Sequence, residues 1–276
     1  LQTVDCTPIE EKKQDQINTY KHTDMQQLTR HHLAKRQLWV TLFAITMGIF
    51  EGALVVYIRE LYYPHGFDFP ITVMNPQLVN AELLRELASM LMIVSVAWLA
   101  APTFNRRFGQ FLYIFGIWDI VYYLFLKIIL NWPESLLTWD VLFLIPVMWT
   151  GPVLSPAFVA VLMILWGQTL AVPLRMQPTD IKLHRYTWPL LILGAFILFL
   201  SFIWDYGRFL LAEVRQVPSF SVEWFRNIAY EYLPDSFPWW LWLVGVVLIT
   251  AAWIQVQVNG NTGKDDTENQ PGSIRK

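Results

Sequence analysis

Two carboxylates stand where a carboxylate is costly. Glu51 lies in the run Gly48-Ile49-Phe50-Glu51-Gly52, and Asp119 in Trp118-Asp119-Ile120, each near the middle of a long apolar stretch. Neither side chain is long enough to reach water from the middle of a bilayer, so each is a functional candidate by default. Such a group must be protonated, paired with a cation on a neighbouring helix, or facing a water-filled cavity. A titrating pair of this kind suits proton-coupled transport or acid–base catalysis. The plain alternative is a buried ion pair that only holds helices together.

Further charge gathers towards one boundary of the apolar stretches. Arg59, Glu60, Lys127, Asp140, Asp205 and Arg208 lie near it, and Glu82, Arg85 and Glu86 open the second stretch at the same level. Together with Glu51 and Asp119 they predict a polar cluster that faces the bundle interior and opens outward. Simpler roles compete. Arg59, Lys127 and Arg208 can snorkel to the interface. Glu82 and Arg85, three residues apart, can pair on a helix surface. Asp140 can cap a helix start.

Cofactor chemistry finds no ligands. The single cysteine, Cys6, excludes an internal disulfide and a cysteine-clustered metal site. His22, His31, His32, His65 and His184 all lie outside the apolar cores, which excludes a membrane-embedded bis-histidine haem. There is no HExxH, CxxCH, Walker or GxGxxG pattern. No cofactor and no metal are therefore expected. A serine nucleophile lacks a histidine at its depth unless His65 folds in.

The elements that carry these residues are membrane helices. Only 15% of the residues are charged and 55% are hydrophobic, too little polar surface for a water-soluble globule. Net charge is −2, so no basic excess attracts nucleic acid. Apolar runs occupy 38–58, 81–104, 109–130, 141–172, 188–204 and 239–258, each long enough to cross the hydrocarbon. Asn75-Pro76 reads as an N-cap followed by Pro at the first helical position. The fourth run would span roughly 48 Å as a helix. It holds Pro146, Gly151-Pro152 and Pro156, so a broken span is expected. Transporters use the backbone groups freed by such breaks at their binding sites. The fold predicted is an all-α polytopic bundle of about six spans over 38–258. A polar N-terminal segment (1–37) precedes it and a disordered tail (259–276) follows.

Fourteen of the 20 Lys and Arg residues fall on one side: six before span one, two after span two, three after span four and three in the tail. The positive-inside rule then places both termini in the cytoplasm. The segment 218–238 interleaves Phe220, Trp224, Phe225, Tyr230 and Tyr232 with charge. It reads as either an interfacial helix or an aromatic-rich loop. Gly48 and Gly52 form a GxxxG spacing, read as helix packing and only weakly as a dimer signal. Leu1 in place of an initiator Met points to a fragment or an alternative start codon, and hints at a bacterial source.

Three stretches carry a family resemblance: Glu51-Gly-Ala-Leu-Val-Val-Tyr-Ile-Arg59, Trp118-Asp-Ile-Val-Tyr-Tyr123, and Trp132-Pro-Glu-Ser-Leu-Leu-Thr-Trp-Asp-Val-Leu-Phe-Leu-Ile-Pro146. Over roughly residues 51–156 the chain resembles a group of bacterial multi-pass membrane proteins with no assigned activity. The resemblance implies an inner-membrane location and no catalytic residues.

Three functions fit. The first expectation is a non-catalytic or accessory subunit of a larger membrane assembly, with other membrane subunits or a second copy as partners beside the lipid bilayer. The second is a small proton-coupled transporter using Glu51 and Asp119. The third is a membrane-embedded enzyme for a lipid or isoprenoid, with Arg59, Arg85 or Lys127 holding an anionic headgroup.

Overall fold

In the computed structural model the described residues are 7–171, 183, 185–215 and 227–262, with side chains described within 31–258. Helix α1 (Thr7–Tyr62) carries the polar N-terminal stretch into the first span without a break. Then come α2 (Pro76–Ala100) and α3 (Phe104–Leu130). A two-stranded hairpin follows, β1 (Trp139–Phe143) and β2 (Trp149–Pro152). The chain continues through α4 (Leu154–Ala171), α5 (Thr187–Val214), a single 3-10 turn (Ala229–Glu231) and α6 (Trp239–Thr262). All six α-helices are long and apolar enough to cross a membrane. The chain is a polytopic helical bundle. The tail beyond Thr262 lies outside the described residues.

The burial pattern is that of a protein dissolved in lipid. Leu61, Leu84, Leu99, Phe104, Ile128 and Ile192 point outward, whereas Glu51, Arg59, Glu86, Asp140 and Asp205 point inward and are buried. Charge in hydrocarbon is costly, so the polar side chains collect where other protein groups can satisfy them.

Helix α3 is the hub. It packs along α1 on one side and α4 on the other, and α2 lies against it more lightly. Helices α5 and α6 form a second pair, joined to the rest through β2 and α4. Small residues set the closest approaches. A Cβ at Gly48 would lie 2.8 Å from the Trp118 carbonyl oxygen on α3, and one at Gly116 would lie 2.5 Å from the Ala160 carbonyl oxygen on α4. The Gly48/Gly52 spacing therefore serves packing within the chain, α1 on α3.

The fourth apolar run departs from the broken helix expected over 141–172. Its first part forms the antiparallel hairpin, with Asp140 opposite Gly151 and Val141 opposite Thr150. Helix begins only at Leu154. The reason is local. Pro146, Pro152 and Pro156 each remove a helix donor. Trp139, Val141, Phe143, Trp149 and Thr150 favour a pleated strand. Pro156 is tolerated because it sits in the first turn of α4.

Non-helical backbone survives at membrane depth only where protein covers it. Phe143 stacks on Phe115 of α3 with ring centroids 6.1 Å apart, and Trp149 stacks on Phe202 of α5 at 6.2 Å. The hairpin is thus wedged between α3 and α5. Just past the strands, Val153 N donates to Thr138 O at 3.0 Å and Leu154 N to Leu136 O at 2.7 Å.

Candidate functional site

Four groups of polar side chains gather on the hairpin side of the bundle. The first joins α1 to α2. Arg85 Nη1 donates to Glu51 Oε1, and Arg85 Nε donates to Glu82 Oε2 at 3.0 Å. The helical i, i+3 spacing places Glu82 beside Arg85, and α1 supplies Glu51 from across the interface. One guanidinium is therefore shared by two carboxylates.

Glu86, one residue further along α2, points at the hairpin. Both its oxygens accept from Leu144 N, at 3.0 and 3.1 Å. Leu144 follows β1, where the ladder no longer supplies an acceptor. A carboxylate from α2 does so instead.

The third group is a clamp. Arg59 Nη2 donates to Asp140 Oδ1 at 3.2 Å, and Tyr123 Oη donates to Asp140 Oδ2 at 3.2 Å. The Arg59 guanidinium also sits 3.7 Å from the Trp132 ring centroid and 4.5 Å from that of Phe67. Side-chain exposure is 8% for Arg59 and 4% for Asp140, so solvent screens this pair little. The aromatic faces and the carboxylate replace part of the water that the guanidinium gives up, while its Nη1 is buried without a hydrogen-bond partner among the described residues. One corner of α1, α3 and β1 is fixed by it.

The fourth group lies apart. Asp205 on α5 accepts from Tyr232 Oη at 2.8 Å, from Asp235 N at 3.0 Å and from Ser236 N at 3.4 Å. Tyr232 Oη also lies 3.0 Å from Thr150 Oγ1 on β2. Burial pushes the Tyr232 phenol above its ordinary pKa, so it keeps its proton for this bond. This network ties the segment before α6 to α5 and the hairpin. Of the aromatic segment 218–238, residues 218–226 lie outside the described residues. Tyr232 and Phe237 are buried within the bundle rather than offered to a partner.

Asp119 differs from all of these. Among the described residues it makes no hydrogen bond and no ion pair, and it is only partly covered. Its carboxyl faces a cavity of ≈ 730 Å³. That cavity brings together Glu51, Glu82, Arg85, Glu86, Asp119 and the Arg59–Asp140 clamp. The lower wall is apolar: Phe108, Phe111 and Leu112 of α3, Met163 and Trp166 of α4, Leu191 and Phe199 of α5. It occupies the gap between α3 and α5, which is closed at one end where Phe104 and Phe108 meet Trp188.

Four of the sequence candidates stay outside the cavity lining: Glu60, which is exposed, Asp205, Lys127 and Arg208. Lys127 Nζ donates to Asn131 O at 3.3 Å and Pro133 O at 2.9 Å, closing the end of α3. Asn131 there takes the left-handed conformation common at helix C-termini, with φ 52°. Arg208 is exposed on α5 and unpaired among the described residues. Asp140 lies in a strand, so it caps no helix. His65 is exposed on its loop and does not fold in. Among the described residues no group of His, Cys, Asp or Glu is placed to hold a metal ion.

Sequence reasoning missed Tyr123, Trp132, Phe67, Tyr232 and Thr150. Their roles arise from packing between distant segments, although the resemblance stretches around 118–123 and 132–146 and the aromatic segment 218–238 drew attention near some of them. The chain matches no family model, no curated protein and no solved structure.

Proposed function

We propose that this chain is a small carrier that binds an amphipathic molecule inside the bundle and exchanges it against a proton held on Asp119. One observation carries the reading: an unpartnered carboxyl facing a cavity whose volume falls in the range of small-molecule pockets, roughly 300–1,000 Å³. Glu51, the other half of the expected titrating pair, is committed to Arg85 and serves as a positioning residue. The hairpin takes the place of the broken helix as the irregular element beside the site.

The accessory-subunit expectation draws less from the glycine pair and from the aromatic segment. The glycine pair is used inside the chain, and Tyr232 and Phe237 of the segment before α6 are buried. An enzyme acting on a lipid would need a second group poised beside Asp119. Glu51, Glu86 and Asp140 already have partners.

The test is flux in proteoliposomes loaded with a pH-sensitive dye. Dodecylamine, dodecanol and dodecanoate are added in turn, with protein-free liposomes as background. Protein-dependent pH change with any of them supports a carrier. No protein-dependent change with any of the three removes it.

The proposed setting is a bacterial inner membrane with both termini in the cytoplasm. The asymmetry of Lys and Arg and the resemblance stretches support it. In a Cys6→Ser background, Gly66→Cys should react with an impermeant maleimide added from outside, and Asp180→Cys should not. The reverse labelling would invert the topology.

A further inference from the structure

We infer that the cavity selects a cation: a single-tailed or polycyclic amine whose ammonium group sits at Asp119 and whose apolar body runs towards the opposite end of α3. The inference rests on the carrier reading and names its substrate class.

Charge is the first argument. Five carboxyls line the cavity, Glu51, Glu82, Glu86, Asp119 and Asp140, against two guanidiniums, Arg59 and Arg85. Both guanidiniums are taken. Arg59 is held by Asp140, and Arg85 by Glu51 and Glu82. Among the described residues no cation is left for an anionic headgroup, and adding one would set it against carboxylates in a poorly screened site. An ammonium group supplies what is missing. It gives Asp119 a charge-assisted hydrogen bond.

Shape is the second. From Asp119 down to Phe108, α3 advances by roughly 16 Å. Over that distance it presents Phe115, Phe111 and Leu112 to the cavity, faced by Phe199 and Leu191 of α5. A polar end and a long apolar wall match an amphipathic ligand with one charged terminus. The volume is that of a drug-sized ligand rather than a two-tailed phospholipid.

The experiment is calorimetric titration of the purified chain in phosphatidylcholine nanodiscs with dodecylamine, dodecanol and dodecanoate, subtracting partition into empty nanodiscs. Dodecylamine is expected to bind at least about tenfold more tightly than dodecanol, the worth of one charge-assisted hydrogen bond. Asp119→Asn should remove that advantage and leave dodecanol binding unchanged. Asp119→Glu should retain most of it, and Lys127→Ala, outside the cavity, should leave all three ligands as they are.

Equal binding of amine and alcohol, unmoved by Asp119→Asn, would overturn the cation inference while leaving the cavity as a binding site. Preference for dodecanoate would overturn it outright. Failure of all three to bind would remove both the inference and the carrier reading beneath it. Replacing phosphatidylcholine by phosphatidylethanolamine should not displace dodecylamine. Competition by that lipid would overturn the single-tailed ligand.

Discussion

Asp140 and Asp119 line the same cavity and have opposite surroundings. Asp140 accepts from Arg59 and from Tyr123, beneath two aromatic rings that cover the guanidinium. Among the described residues Asp119 has no partner, and it lines the cavity. A buried charge whose bonds are all made is architecture: removing it leaves its partner stranded. A carboxyl left without a donor contributes little to holding the fold, so its presence calls for a ligand or a proton. The contrast separates residues that build the chamber from the one that would work in it.

Mutations can break that contrast, starting with the clamp. Asp140→Ala strands a buried guanidinium and should cost about 3–5 kcal/mol. It should appear as a collapse of the melting transition in detergent and of folded yield. The double variant Arg59→Met/Asp140→Leu should recover much of the loss, because no unpaired charge remains. If the single variant melts like wild type, the clamp is not structural.

Gly116→Leu should come next. Its side chain must enter the α3–α4 contact, and overpacking there should cost about 1–3 kcal/mol, read as a lower melting temperature. A similar loss, about 1–3 kcal/mol, is expected for Glu86→Leu, which leaves Leu144 N without an acceptor. Glu86→Gln keeps one oxygen acceptor and should lose less. Tyr232→Phe removes the bond to Asp205 and the contact with Thr150 and should cost about 1.5 kcal/mol. Smallest of all, Asp119→Asn should shift stability by less than about 0.5 kcal/mol, since no partner is left behind. A large loss at 119 would place Asp119 with Asp140 among the builders.

The helical frame could be read from the sequence because its cause is local. Six apolar runs of spanning length leave few alternatives, and Asn75 caps α2 as expected, its side chain accepting from Gln77 N at 2.9 Å. The hairpin could not be read the same way. Residues 139–152 are as apolar as the helices, and hydropathy does not separate a buried strand from a helix. The prolines marked a break without saying what filled it.

Candidate residues were legible as costly groups, and their partners were not. Arg59 could as well have snorkelled as paired with Asp140. The choice depends on Trp132 and Phe67, brought in by two separate loops. Lys127 does take one of the bland roles, closing a helix end. Glu51 and Asp119 looked alike in sequence, each a lone acid in mid-span. Helix rotation made them different, turning Glu51 towards Arg85 and Asp119 towards the cavity.

The most direct test of this account is proton-linked dodecylamine flux in proteoliposomes for wild type and Asp119→Asn, paired with the melting temperature of each. Asp119→Asn is expected to melt with wild type and to carry no flux. Flux retained in a normally folded Asp119→Asn protein would contradict it.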